Sequence, residues 1–265
     1  MSLGILIKGP EGLVLAADSR VTLGAQPLQG PATIVNFDNA TKLLSFREPH
    51  TFVGAVTYGD AAIGLRTASS FVPEFEATLP SERKPVADFA QLLSDFFMAR
   101  WRAEMPMPPE YKESPMTFVV GGFDERQPYG QAFVIDIPIA PAPQEVNPGV
   151  QFGITWGGQR DFVDRLLRGY HEKLPDVVAK ALSLTKEQKQ TLLSALSPLD
   201  MKVPLQAMAL QDCVNLAIFF IRTTMDAQNL TVGVRGVGGP IDVAVITGTR
   251  GIEFVQRKKI VGEGG

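Results

Sequence analysis

The chain has 265 residues, 45% hydrophobic and 20% charged, with a net charge of −3 at neutral pH. That composition suits a protein with a large core and gives no electrostatic reason for nucleic acid or an anionic membrane as partner. The single cysteine, Cys213, excludes an intrachain disulfide framework and, within an apolar helical stretch, reads as a packing residue. No basic-plus-apolar signal segment is read at the start and no run is apolar enough to cross a bilayer, so a cytoplasmic location is expected.

Two short apolar runs, 3–7 and 13–17, flank the turn residues Lys8-Gly9-Pro10-Glu11-Gly12, with strands expected over 4–7 and 12–17. Gly and Pro punctuate turns, and unbroken apolar strands are buried on both faces, so this segment reads as a buried β-hairpin. Its second strand runs into Asp18-Ser19-Arg20, and the hairpin brings that charged cluster back beside Ser2. Further strands are expected over 33–35, 42–46, 51–56, 116–121, 131–137, 152–155, 242–247 and 252–256, all short and bounded by Gly, Pro, Asn or Asp. Helices are expected over 60–75, 85–101, 159–173, 186–194 and 205–225. In the second of these, Phe89, Leu92, Leu93, Phe96 and Phe97 recur at helical spacing and define one buried stripe, with Pro85 suited to the first turn.

Several chemistries are poor fits. The two histidines, His50 and His171, accompany no G-x-S-x-G nucleophile elbow. No set of His, Cys and acidic residues has zinc-ligand spacing, and neither Gly157-Gly158 nor Gly236-Val237-Gly238-Gly239 carries a P-loop or dinucleotide fingerprint. No metal or organic cofactor is therefore expected.

Several blocks resemble, in order, those of a proteasome β-type subunit, an N-terminal-nucleophile hydrolase. They are Gly4-Ile5, the run Gly12-Leu13-Val14-Leu15-Ala16-Ala17-Asp18-Ser19-Arg20, Thr41-Lys42-Leu43 and Gly59-Asp60-Ala61. Val120-Gly121-Gly122-Phe123-Asp124, Phe133-Val134-Ile135-Asp136 and a closing run from Gly238-Gly239 to Ile246-Thr247 follow. The resemblance implies an α+β fold, a four-layer αββα sandwich, in one domain spanning 1–265. Segments near 105–115, 138–148, 174–204 and 227–237 exceed the family pattern and read as insertions that cover a site or extend an interface.

For function, the resemblance implies peptide-bond attack by a leading hydroxyl, here Ser2 after removal of Met1, with its own α-amine as base. Lys42 would hold positive charge near that hydroxyl, Asp18 would fix the lysine, and Arg20 would order the turn. Amides near Gly54 and Ala55 would receive the oxyanion, and Asp226 would orient the terminus. Aligning on Asp18 places the nucleophile at Ser2, whereas aligning on Gly4-Ile5 places it at or before Met1. The family's serine before a glycine is replaced by Gly157, and a second falls at Val237.

Three functional readings stay open: a self-compartmentalising peptidase, a non-catalytic ring subunit, and an amidohydrolase acting on small amides. The first implies unfolded polypeptide or peptide as substrate, homo-oligomeric rings, and an unfoldase or cap as a further partner.

Overall fold

The computed structural model describes residues 2–25, 33–111 and 114–262. Met1, whose removal the sequence reading invokes, and residues 112–113 of the expected 105–115 insertion lie outside the described residues.

The chain opens with β1 (Leu3–Lys8), β2 (Leu13–Ala17), β3 (Val21–Ala25), β4 (Thr33–Phe37), β5 (Leu43–Ser45) and β6 (Val53–Gly59). Two short strands, β7 (Ala62–Ile63) and β8 (Arg66–Thr67), precede a 3-10 turn and the helix α1 (Val72–Glu76). The long helix α2 (Val86–Glu104) leads to β9 (Met116–Gly122), β10 (Gln131–Ile137), β11 (Ala140–Glu145) and β12 (Gly153–Gly158). Four helices follow: α3 (Asp161–Arg168), α4 (Leu174–Ala181), α5 (Lys186–Leu196) and α6 (Leu210–Leu230). The strands β13 (Asp242–Thr247) and β14 (Gly251–Gln256) close the fold.

Two five-stranded antiparallel sheets, ordered β12-β1-β2-β13-β14 and β11-β10-β9-β6-β5, face one another. The period-2 alternation of a strand explains the partition of the core. Leu6, Leu13 and Leu15 point toward the opposite sheet, meeting Val56 and Val119. Their neighbours Ile5, Ile7, Val14 and Ala16 point the other way, against Ala217, Phe220 and Ile221 of α6. Both faces are covered, which is why residues 3–7 and the whole of β2 are apolar without interruption. Across the second sheet, α2 seats Phe89, Leu93, Phe97 and Trp101, and Phe97 stacks on Phe118 with ring centroids 4.5 Å apart.

The expected four-layer αββα sandwich is corrected. The described residues build four antiparallel sheets, since β3–β4 and β7–β8 form separate two-stranded ribbons. Moreover, α4 and α5 pack on each other, and α5 buries none of its residues. The fold is a mixed α/β arrangement with several antiparallel sheets.

Two local expectations also change. Residues 60–75 do not form one helix: Gly59 and Gly64 take positive φ, turning the chain twice before Pro73 starts α1. The expected 138–148 loop instead contains β11, whose prolines are tolerated because it is an edge strand pairing on one side only. Cys213 is fully buried, and burial raises its thiol pKa, as a packing residue requires.

Tyr58 of β6 packs against two glycines of the facing sheet. A Cβ at Gly4 would fall 2.6 Å from its ring, and one at Gly157 would fall 2.2 Å from its hydroxyl. Replacing Gly157 by Ala is therefore expected to lower unfolding free energy by about 1–3 kcal/mol, measured by chemical denaturation, because the added Cβ overlaps the Tyr58 ring and one of them must shift.

Candidate active site

Where β2 ends, the chain leaves the sheet and Asp18 turns inward, 1% exposed. Its carboxylate is saturated with donors. Lys42 Nζ lies 2.7 Å from Oδ1, which also accepts the Leu3 amide at 3.0 Å. The amides of Arg20 and Gly238 donate to Oδ2 at 3.1 and 3.0 Å. Four chain segments thus converge on one carboxyl group. A buried carboxylate is tolerable only when satisfied in this way.

Lys42 sits just before β5 and is 4% exposed. Its ammonium also donates to the Arg20 carbonyl at 2.5 Å. Burial pushes its pKa below the ordinary lysine value; Asp18 opposes that shift, and the charges of Lys258 and Arg20 add to it. Arg20 forks its guanidinium onto Asp38 at 2.6 and 2.8 Å and donates to the Arg235 carbonyl at 3.1 Å. Gly238 is required beside it, since a Cβ there would fall 2.4 Å from the guanidinium carbon.

Ser2 precedes β1 and is 4% exposed. Its carbonyl accepts the Gln159 amide at 2.7 Å. Gly158, with φ +87°, permits this approach, because a Cβ there would lie 2.0 Å from that same oxygen. Ser2 and Lys42 line one tight cleft of about 20 Å³ with Thr57, Tyr58 and Asp60, room for roughly one water. The cleft shares Val21, Ala40, Ala61 and Thr67 with a wider, largely apolar groove of about 590 Å³ beyond it. The site therefore holds a hydroxyl and an ammonium at the closed end of an open groove.

Ser2, Asp18, Arg20 and Lys42 are brought together; the other expected site residues are not. Gly54 and Ala55 lie in the middle of β6, paired with Gly121 and Val120 of β9 and with Ser45 and Leu44 of β5. Ladder pairing on both edges leaves no open face for an oxyanion there. Asp226 projects to solvent from α6, whereas Gln228, two residues on, is buried. Two residues rotate a helix by about 200°, so these side chains occupy opposite faces. Gln228 Oε1 accepts the Val237 amide at 3.0 Å, and its Nε2 lies 3.2 Å from Gln159 Oε1. The buried positions Ala217, Ile221, Thr224 and Gln228 follow helical spacing, a signal present in the sequence that points to Gln228. Tyr58 and Asp60 were also missed as lining residues. Asp60 accepts a hydrogen bond from the Tyr111 hydroxyl at 2.9 Å.

No protein-family model matches this chain, and no curated protein matches it. Solved structures share its fold. A mutant form of Anbu from Hyphomicrobium sp. strain MC1 is 14% identical, covering 99% of this chain and 88% of that one, with a TM-score of 0.59. The Anbu complex from Pseudomonas aeruginosa, solved as a helical assembly, is 16% identical over 92% of this chain and 81% of that one, with a TM-score of 0.57. The resemblance to a proteasome β-type subunit is corrected by these neighbours, because Anbu is a different branch.

Replacing Lys42 by Met strands the buried Asp18 carboxylate and is expected to cost about 3 kcal/mol at neutral pH, near the low end for a broken buried pair because three amides remain. The pH profile has a definite sign. With its folded pKa below the unfolded one, Lys42 binds fewer protons in the folded chain across that interval, so stability rises with pH there. Denaturation midpoints from neutral to alkaline pH should show that rise in the native chain and lack it in Lys42→Met.

Proposed function

We propose that this chain is an amide-bond hydrolase whose nucleophile is the Ser2 hydroxyl, acting on peptides within a self-assembled oligomer. The observation that carries this reading is the shared cleft: Ser2 and the ammonium of the buried Asp18–Lys42 pair line one closed space at the end of an apolar groove. The fold shared with Anbu supports it, as does the helical assembly of the Pseudomonas aeruginosa complex.

The chemistry requires the peptide bond before Ser2 to be opened, freeing the Ser2 α-amine. That amine, with an ordinary pKa near 7.7–8.0, takes the hydroxyl proton as Oγ bonds to the scissile carbonyl carbon. Lys42 stabilises the charge that develops on Oγ and the attacked carbonyl, and Asp18 holds the lysine in place. The C–N bond then breaks, the amine product leaves with the proton, and water cleaves the resulting ester to restore Ser2. Neither histidine enters the reaction.

Oligomer formation draws support from the 174–204 segment, where Leu174, Val177, Leu182 and Leu199 are exposed. Large apolar side chains gathered on one inserted segment suit a subunit contact.

Ser2→Ala is expected to lower kcat/KM on a fluorogenic peptide by at least about a thousandfold without changing the fold, read by circular dichroism. N-terminal sequencing of the active protein should begin at Ser2; retained Met1, or a fully active Ser2→Ala protein, overturns the reading and leaves a non-catalytic subunit. In sedimentation, the native chain should run as a high-order assembly, and the Val177→Glu/Leu182→Glu double variant should shift toward smaller species.

A further inference from the structure

Beyond β14 the chain crosses back toward the site. Lys258 lies in this last stretch, and its ammonium reaches two buried groups. It forms an ion pair with Asp242, the first residue of β13, whose other oxygen accepts the Lys258 backbone amide at 2.8 Å. It also lies 3.2 Å from the hydroxyl of Ser19. The contact is well shielded: the side chains of Lys258 and Asp242 are 13% and 4% exposed.

Ser19 is the middle residue of the Asp18-Ser19-Arg20 turn, and it is completely buried. Its amide donates to the Gly238 carbonyl at 3.0 Å, and its carbonyl accepts the Ala40 amide at 2.9 Å. Ser19 is thus tied to the Gly238 segment and to the residues just ahead of Lys42. Whatever grips its side chain acts on both partners of the Asp18–Lys42 pair.

We propose that Lys258 is a positioning residue for the hydrolytic site, clamping the Asp18-Ser19-Arg20 turn through Ser19 and Asp242 and setting a second ammonium behind Lys42. This rests on the Ser2 reading for its link to turnover, although the clamp itself does not. Lys258 is among the charges that lower the Lys42 pKa, after burial and against the larger opposing effect of Asp18. The other charged or titratable groups around Lys42 are Arg20, Asp38, Tyr58 and Asp60. Burial raises the Tyr58 pKa far enough to keep its phenol neutral in the working range. Asp38 is neutralised by the Arg20 fork and lies well below the usual carboxylate pKa. Lys258 thus reaches the Asp18–Lys42 pair through Ser19 and through its charge, its own hydrogen bonds going to Ser19 and Asp242.

The test compares Lys258→Met, the charge-keeping Lys258→Arg, and Lys258→Met/Asp242→Asn, which avoids stranding a buried carboxylate. The Lys42 side chain is titrated by NMR in a Ser2→Ala background, a readout that needs no turnover. With Ser2 intact, kcat/KM is followed against pH. Loss of the Lys258 charge should move the Lys42 titration, and the alkaline limb of kcat/KM with it, to higher pH by about 0.5–1 unit, with Lys258→Arg restoring both. A folded Lys258→Met variant in which Lys42 titrates as in the native chain overturns the proposal, and so does a folded double variant that keeps the native kcat/KM, since the clamp on Ser19 is lost in it. Should Ser2→Ala leave peptide cleavage intact, the hydrolase reading fails, while the NMR titration still decides the role of Lys258.

Discussion

One carboxylate organises this molecule. Asp18 is buried at the end of a core strand, where an unsatisfied negative charge would cost several kcal/mol. It is tolerated because the Lys42 ammonium and the amides of Leu3, Arg20 and Gly238 all reach it. Those donors come from the start of β1, the turn after β2, the approach to β5 and the loop before β13. Moving any of these segments by an ångström would strand a donor or the acceptor. The charge therefore acts as a registration point for elements far apart in the chain, and the candidate chemistry is assembled around the same point.

Glycine supplies the space for this convergence. At Gly158 a side chain would strike the Ser2 carbonyl, at Gly238 the Arg20 guanidinium, and at Gly4 and Gly157 the Tyr58 ring. Gly157 and Gly158 are thus explained by what approaches them. The Tyr58 hydroxyl fills the volume that a side chain at 157 would occupy, and Ser2 fills that at 158.

The hydrogen bonds beyond Asp18 form a graded shell. Arg20 is held by Asp38 and Arg235, Ser19 by Lys258, Gly238 and Ala40, and Gln159 by Gln228. Most of these partners lie outside the sheets, in loops or at helix ends. The sheets set the positions of Asp18 and Tyr58, and the loops tune their surroundings.

The buried hairpin, the phenylalanine stripe of α2 and the strand–helix–strand order could be read from the sequence, because apolar periodicity reports which faces leave water. The Asp18-Ser19-Arg20 cluster was legible as well, as charge at the end of an apolar strand, whereas Lys42 was reached only through the resemblance carried by Thr41-Lys42-Leu43. Periodicity reports burial but not partners. Gly54 and Ala55 were chosen by their order after Lys42, and nothing local shows that β6 has a neighbour on each side. Asp226 read as a site residue through its match to the family's late acidic residue, although helical phase puts Gln228 inward instead. The separation of β3–β4 and β7–β8 into ribbons, the edge position of β11 and the return of Lys258 to Ser19 depend on contacts between distant segments. Local sequence determines which residues seek burial; only the folded chain decides which donor meets which acceptor, since a hydrogen bond depends on ångström-scale placement that no spacing along the chain encodes.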